Sequence, residues 1–407
     1  MSLDRRGFVA AAAALAAGTA LPPDPAPAIP RPARPAGDDP LGVRGDFPLV
    51  TTRTFLNGAY ITPSPQQAIA AGQAFIASRG QPMLVGPLLR KVGEVRGQFA
   101  KLVNASADEI GFLFATTEGE NVVANTVPMR RGDNVVIDAL SYEGAYVVYR
   151  ELEKRRGVQL RIVPHQEGVV STEAIASRID RRTRLVSVAW VSHLNGFRHD
   201  LRALADAAHR HGAFLYTDAI QGVGTLDLDV RATEVDFFCT GTYKGLLAGF
   251  GLAPFYVRRE VLDRITPDRF GAFGVSKELP DFHYEINRTA RRYDYATLPF
   301  AEVHQLGATL PYLQSLGVAR IEAHVTGLAT RLAEGLAGQG YRLFTPPGNR
   351  ASIVSFYFTR PAADIRAAFE REAIDVTVRD DHVRASVALF NNADEVDHLL
   401  SVTRTLS

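Results

Sequence analysis

Ala213-Phe214-Leu215-Tyr216-Thr217-Asp218-Ala219-Ile220-Gln221-Gly222-Val223-Gly224 reads as a short apolar strand that ends on a carboxylate and turns through glycine. Val235-Asp236-Phe237-Phe238-Cys239-Thr240-Gly241-Thr242-Tyr243-Lys244-Gly245 repeats the plan, with a lysine beyond the strand. Working outward, strands are predicted at 110–115, 134–138, 160–164, 185–191 and 253–257, with helices at 66–79, 88–103, 146–156, 172–179 and 201–211. Short apolar strands alternating with helices call for an α/β fold, a mostly parallel sheet with helices on both faces. Ligands of such sheets bind beyond the carboxyl ends of the strands, where Thr117, Asp218 and Lys244 fall. The large domain is placed at 46–310. Helices at 298–316, 318–338, 362–371 and 393–406, with strands at 351–358 and 383–389, make 311–407 a smaller C-terminal α+β domain.

The chain has 407 residues, 46% hydrophobic and 22% charged, with net charge +1. These values suit a globular protein and give no reason to expect nucleic-acid binding. The single cysteine, Cys239, excludes an internal disulfide and a cysteine-based metal cluster; in its apolar strand it reads as a core thiol, and no metal is expected. Arg5-Arg6-Gly7-Phe8-Val9, an apolar run to Leu21 and Ala26-Pro27-Ala28 read as a twin-arginine signal peptide over 1–28. Export by that machinery, to the periplasm or outside, follows. Residues 29–45, rich in Pro and Arg, read as a flexible linker.

A lysine can hold an aldehyde cofactor as a Schiff base, and an acid can keep a pyridine nitrogen protonated, as pyridoxal phosphate requires. Thr117 and Glu120 in Ala115-Thr116-Thr117-Glu118-Gly119-Glu120 read as a capping box, whose free N–H groups suit a phosphate. Two further segments stand out, Asp138-Ala139-Leu140-Ser141-Tyr142-Glu143-Gly144 with its tyrosine, and His382-Val383-Arg384-Ala385-Ser386 with its arginine.

Together these segments resemble the class V aminotransferase family of fold-type I pyridoxal-phosphate enzymes, from about Arg53 to Leu400, and look most like its isopenicillin-N-epimerase-like branch. The resemblance implies a seven-stranded sheet. It makes Lys244 the Schiff-base lysine and Asp218 the partner of the ring nitrogen. Thr116, Thr117, Tyr142, Gln221, Thr242 and Tyr243 become cofactor contacts, joined by His193, with Asn195 nearby and off register. Arg384 becomes the substrate clamp, with Arg379 and Asn57 as further substrate contacts. Thr297, in Arg292-Tyr293-Asp294-Tyr295-Ala296-Thr297, would reach the phosphate of a neighbouring subunit, making a homodimer with shared sites.

An α-amino-acid substrate is therefore expected. Cysteine desulfurases of the family carry a mobile cysteine before the Arg-x-Ser strand, and here only four residues separate Arg379 from Arg384. Epimerase-like or β-lyase chemistry is accordingly expected, and persulfide-forming desulfuration is not. An aminotransferase, a kynureninase-like hydrolase and a cofactor-binding protein without turnover are the alternatives. A nicotinamide-dependent dehydrogenase would want G-x-G-x-x-G after its first strand, which Thr116-Thr117-Glu118-Gly119 is not.

Overall fold

The computed structural model describes residues 38–406. The signal peptide and residues 29–37 of the linker lie outside them. The rest of the expected linker is fixed to the fold. Asp39 accepts the N–H groups of Val43 and Arg44 at 3.0 and 2.9 Å, Leu41 and Val43 are buried, and Arg44 pairs with Glu395 at 2.9 Å. Apolar residues within the Pro/Gly-rich stretch give these residues something to bury, which a composition average hides.

After β1 (Thr54–Phe55) come the strands of the main sheet: β2 (Ile110–Leu113), β3 (Asn134–Asp138), β4 (Gln159–Val163), β5 (Thr183–Ala189), β6 (Phe214–Asp218), β7 (Phe237–Cys239) and β8 (Ala253–Val257). They lie in the order β2-β8-β7-β6-β5-β3-β4. All neighbours are parallel except those of β8, which is antiparallel to β2 and β7. The α/β architecture thus stands as read. The strands are largely apolar because helices cover both faces; β2, β3, β7 and β8 are buried along their whole length. Register sets Asp218 beside Ala189 on one side and Cys239 on the other, so three strands end on one line.

A hairpin follows, β9 (Val275–Glu278) and β10 (Tyr284–Ile286), with Phe282 fully exposed at its turn. Its polar, weakly alternating residues carry little strand signal. The C-terminal part pairs β11 (Ile353–Tyr357) with β14 (His382–Ser386), and β14 with β13 (Thr377–Val378). β1 pairs in parallel with β12 (Ile374–Asp375), and Asn57 bridges Ser386. The N-terminal segment therefore runs along the small C-terminal sheet. Among the described residues no helix is long and apolar enough to cross a membrane.

Candidate active site

Two strand ends present the opposed charges. Asp218 accepts the N–H of Ile220 at 3.0 Å; burial pushes its carboxyl up to about 6, against the pull of that N–H and of Lys244. Burial lowers Lys244 to about 8, opposed by Asp218 and assisted by Arg384. The lysine nitrogen stands 5.7 Å from the centre of the Tyr243 ring, which stacks on Phe250 at 4.5 Å.

The helix Thr116–Thr126 opens the phosphate side. Its N-cap is Ala115, two residues earlier than read, and the Thr117–Glu120 capping box does not form. Glu118 instead accepts the N–H of Phe114 at 2.7 Å and is held by Arg269 at 2.5 Å. Glu120, turned inward by this register, accepts the Ser187 hydroxyl at 2.6 Å in a buried setting that raises its carboxyl to about 7. Thr116, Thr117, Tyr142 and Asp218 line one cavity with Glu120 and Ser187. The Thr116 hydroxyl is buried there without a partner. Gly119 lets the helix lie against β7; a methyl group at that position would stand 2.4 Å from Cys239 Cβ.

Opposite lies the clamp. Arg384, on β14, is 5% exposed. It donates to the His193 carbonyl at 2.8 Å and to Thr377 Oγ1 at 3.1 Å, and Thr377 donates to Asn57 Oδ1 at 2.8 Å. Its Nε has no partner, and it forms no ion pair among the described residues. Burial and the nearby Arg379 bring the guanidinium down to about 10. A buried cation oriented by neutral acceptors, with a donor left over, is a site waiting for an anion.

His193 is 8% exposed and meets Tyr142 edge-on at 5.4 Å. Neither ring nitrogen has a hydrogen bond; the Glu143 carboxylate stands 3.5 Å from Nε2. Burial lowers the imidazole against the opposing pull of the Glu143 carboxylate. Burial raises Glu143, but His193 and Arg379 outweigh it and bring the carboxyl to about 2.

Asn195 donates to the Gly168 carbonyl at 2.8 Å and accepts from Phe197 N–H, so His193 and not Asn195 faces the site. Gln221 donates to the Ala59 carbonyl at 3.0 Å and lines a second cavity with Lys244. Thr242 departs from its expected role: fully buried, its hydroxyl is engaged by the carbonyls of Gly249 and Leu252 at 2.6 and 3.1 Å, so it shapes the loop after Lys244. Thr297 is exposed and does not line the cavity holding Asp218. Ser187, Glu143 and Thr377 escaped the sequence reading; only Glu143, beside Tyr142, carried a signal.

A lysine below its ordinary pKa, a buried carboxylate, an unpartnered hydroxyl at a helix start and a stacking tyrosine fit a phosphorylated pyridine aldehyde. The donor set therefore accepts pyridoxal phosphate.

The sequence profile of the family described as aminotransferase class-V matches residues 54–399. A probable cysteine desulfurase of Methanothermobacter thermautotrophicus is 29% identical over 88% of this chain and 95% of its own. A cysteine desulfurase of Salmonella newport is 29% identical over 88% and 96%. Among solved structures, an apo cysteine desulfurase from Thermococcus onnurineus NA1 shares the fold at TM-score 0.83, with 24% identity over 92% of this chain and 99% of that one. A cystine C–S lyase in complex with its reaction product cysteine persulfide shares it at TM-score 0.82, with 19% identity over 89% and 100%. These relatives overturn the exclusion of persulfide-forming chemistry. That exclusion tied the persulfide to a protein thiol, whereas the lyase's product carries its persulfide on a free amino acid.

Proposed function

The chain belongs to the class-V aminotransferase family and is a pyridoxal-phosphate enzyme, and on that footing we propose that it breaks the Cβ–S bond of a cysteine-type amino acid with formation of a persulfide. The unpaired Arg384 facing Lys244 and Asp218 across one site is the observation that carries the amino-acid substrate; the sulfur chemistry draws on the relatives' names. Cys239 is the chain's one cysteine, fully buried, with its thiol pushed well above the ordinary range by burial. A persulfide acceptor must be an accessible thiolate, so the sulfur goes to an acceptor outside the chain. A disulfide substrate brings its own.

When bound, pyridoxal phosphate supplies an electron sink for the substrate's Cα. The residues do the rest. Arg384 fixes the α-carboxylate in two parallel hydrogen bonds, its guanidinium held by Thr377, whose hydroxyl Asn57 anchors in turn. Lys244, with a pKa of about 8, is the base that takes the Cα proton. Asp218 would hold the cofactor's ring nitrogen, its carboxylate facing it. With a disulfide substrate the Cβ–S bond breaks with its electron pair on sulfur, and the distal half leaves as the persulfide anion and takes its proton from water. For L-cystine the balance is cystine plus water to pyruvate, ammonia and cysteine persulfide. Incubating the holoenzyme with L-cystine and with L-cysteine tests this. Pyruvate and persulfide in equal amounts from cystine support the proposal; racemised or deuterated amino acid without sulfur release refutes it.

We propose export by the twin-arginine route, which carries folded, cofactor-loaded proteins, on the strength of Arg5-Arg6 and the apolar run after them. We also propose a homodimer in which Thr297 completes the partner's site. Its exposure, and that of Ile69, Ile76, Leu84 and Val85 on the outer face of the first helices, support this. The likeness to the isopenicillin-N-epimerase-like branch adds no reaction to this proposal.

A further inference from the structure

Asp138 ends β3, and its carboxylate is buried. Oδ1 accepts the Leu140 N–H and the Ser141 hydroxyl, each at 2.9 Å. Oδ2 meets Nε2 of the buried His199 at 2.5 Å. An ionised carboxylate only accepts, which makes Nε2 the donor. The segment tied down in this way leads straight to Tyr142. Its backbone is held twice more, by Ser192 donating to the Leu140 carbonyl and Tyr146 to the Asp138 carbonyl, both at 3.0 Å.

The other end of the same run lies at Asp218. The Asp218 carbonyl accepts the Trp190 N–H at 2.9 Å, and the Trp190 carbonyl accepts the His199 N–H at 2.9 Å. Phe197 meets the imidazole edge-on at 4.9 Å. One continuous run of hydrogen bonds therefore joins the strand end bearing Asp218 to the turn bearing Tyr142, and His199 is its middle link. Ser141, Tyr142 and Asp218 line the cofactor cavity, whereas His199 lines a different one, with Trp190 and Phe197. Tyr142 depends on that turn. Its side chain is half exposed and its hydroxyl makes no hydrogen bond among the described residues, so the ring takes its place from the backbone beneath it. We infer that His199 is a positioning residue for the cofactor, which holds the Tyr142 ring at a fixed distance and tilt from Asp218 through the Asp138 carboxylate. This rests on Tyr142 as the stacking ring and is independent of the sulfur chemistry.

Two substitutions separate the hydrogen bond from packing. His199→Phe keeps the shape beside Phe197 and removes the donor; His199→Gln changes the shape and keeps a donor. Each holoenzyme is measured by the visible circular dichroism of its cofactor and by the Kd for pyridoxal phosphate, in the wild-type and the Tyr142→Ala backgrounds. His199→Phe should weaken cofactor binding about tenfold and reduce the dichroism, as loss of a bond to a buried charge can do. His199→Gln should stay within about threefold of wild type. In the Tyr142→Ala background His199→Phe should cost less than about twofold more, because the ring through which it acts is gone. Should His199→Phe not fold, His199→Asn, too short to reach Asp138, takes its place. Equal effects in both backgrounds, or a Gln variant worse than Phe, overturn the inference. A Tyr142→Ala protein with unchanged dichroism and affinity would instead sink the stacking role of Tyr142, and the positioning role with it.

Discussion

Lys244 and Asp218 shift toward each other for one cause, the loss of water around both. A lysine forms an imine only as the free base, and here that form becomes abundant near pH 8. The rate at which pyridoxal phosphate joins the apoenzyme should therefore rise with pH and level off above about 8; a rise continuing to pH 10 would contradict this. Glu120 gives a second pH effect. Its carboxyl is raised by burial, so its contribution to stability is fully present below the unfolded value near 4.5 and is lost as pH climbs through about 7. Glu120→Gln removes that charge, and its melting temperature relative to wild type should improve between pH 5 and pH 8. The underlying difference is on the order of 2–3 kcal/mol. Thr377→Val removes one acceptor from Arg384 and should raise KM for the amino acid several-fold with a smaller effect on kcat.

At the scale of elements, the strand ends were legible because a parallel sheet writes its strands as apolar runs and ends them in polar residues. That is why Asp218 and Lys244 stood out, whereas Arg384, in the middle of the antiparallel β14, was legible only through the Arg-x-Ser resemblance. The helix Thr116–Thr126 was legible as a helix but not in its cap, since a two-residue shift turns Glu120 from a cap into a buried acid. Thr377 and Ser187 were illegible, because their partners are Arg384 and Glu120 across tertiary contacts with no sequence spacing. The segment before Thr297 is anchored by Asp294, which accepts the Phe112 N–H at 2.7 Å and pairs with buried Arg96 at 2.6 Å. Asp294→Ala leaves that arginine buried and unpaired and should cost about 3–5 kcal/mol in denaturant unfolding. A loss below 1 kcal/mol would show the pair to be dispensable.

For the whole molecule, the described chain accounts for a cofactor pocket and a carboxylate clamp, and leaves the thiol of Cys239 sealed under the helix that opens the pocket. If Thr297 serves the partner's site, mixing Lys244→Ala with Thr297→Ala protomers should give dimers in which one intact site is restored, with activity above either parent. The most direct measurement of the central claim compares wild type with Cys239→Ala on L-cystine, quantifying pyruvate and persulfide and locating the persulfide by mass spectrometry. Equal turnover of the two proteins, with all persulfide on free cysteine, is the expected result. Persulfide on Cys239, or its disappearance in Cys239→Ala, would contradict it.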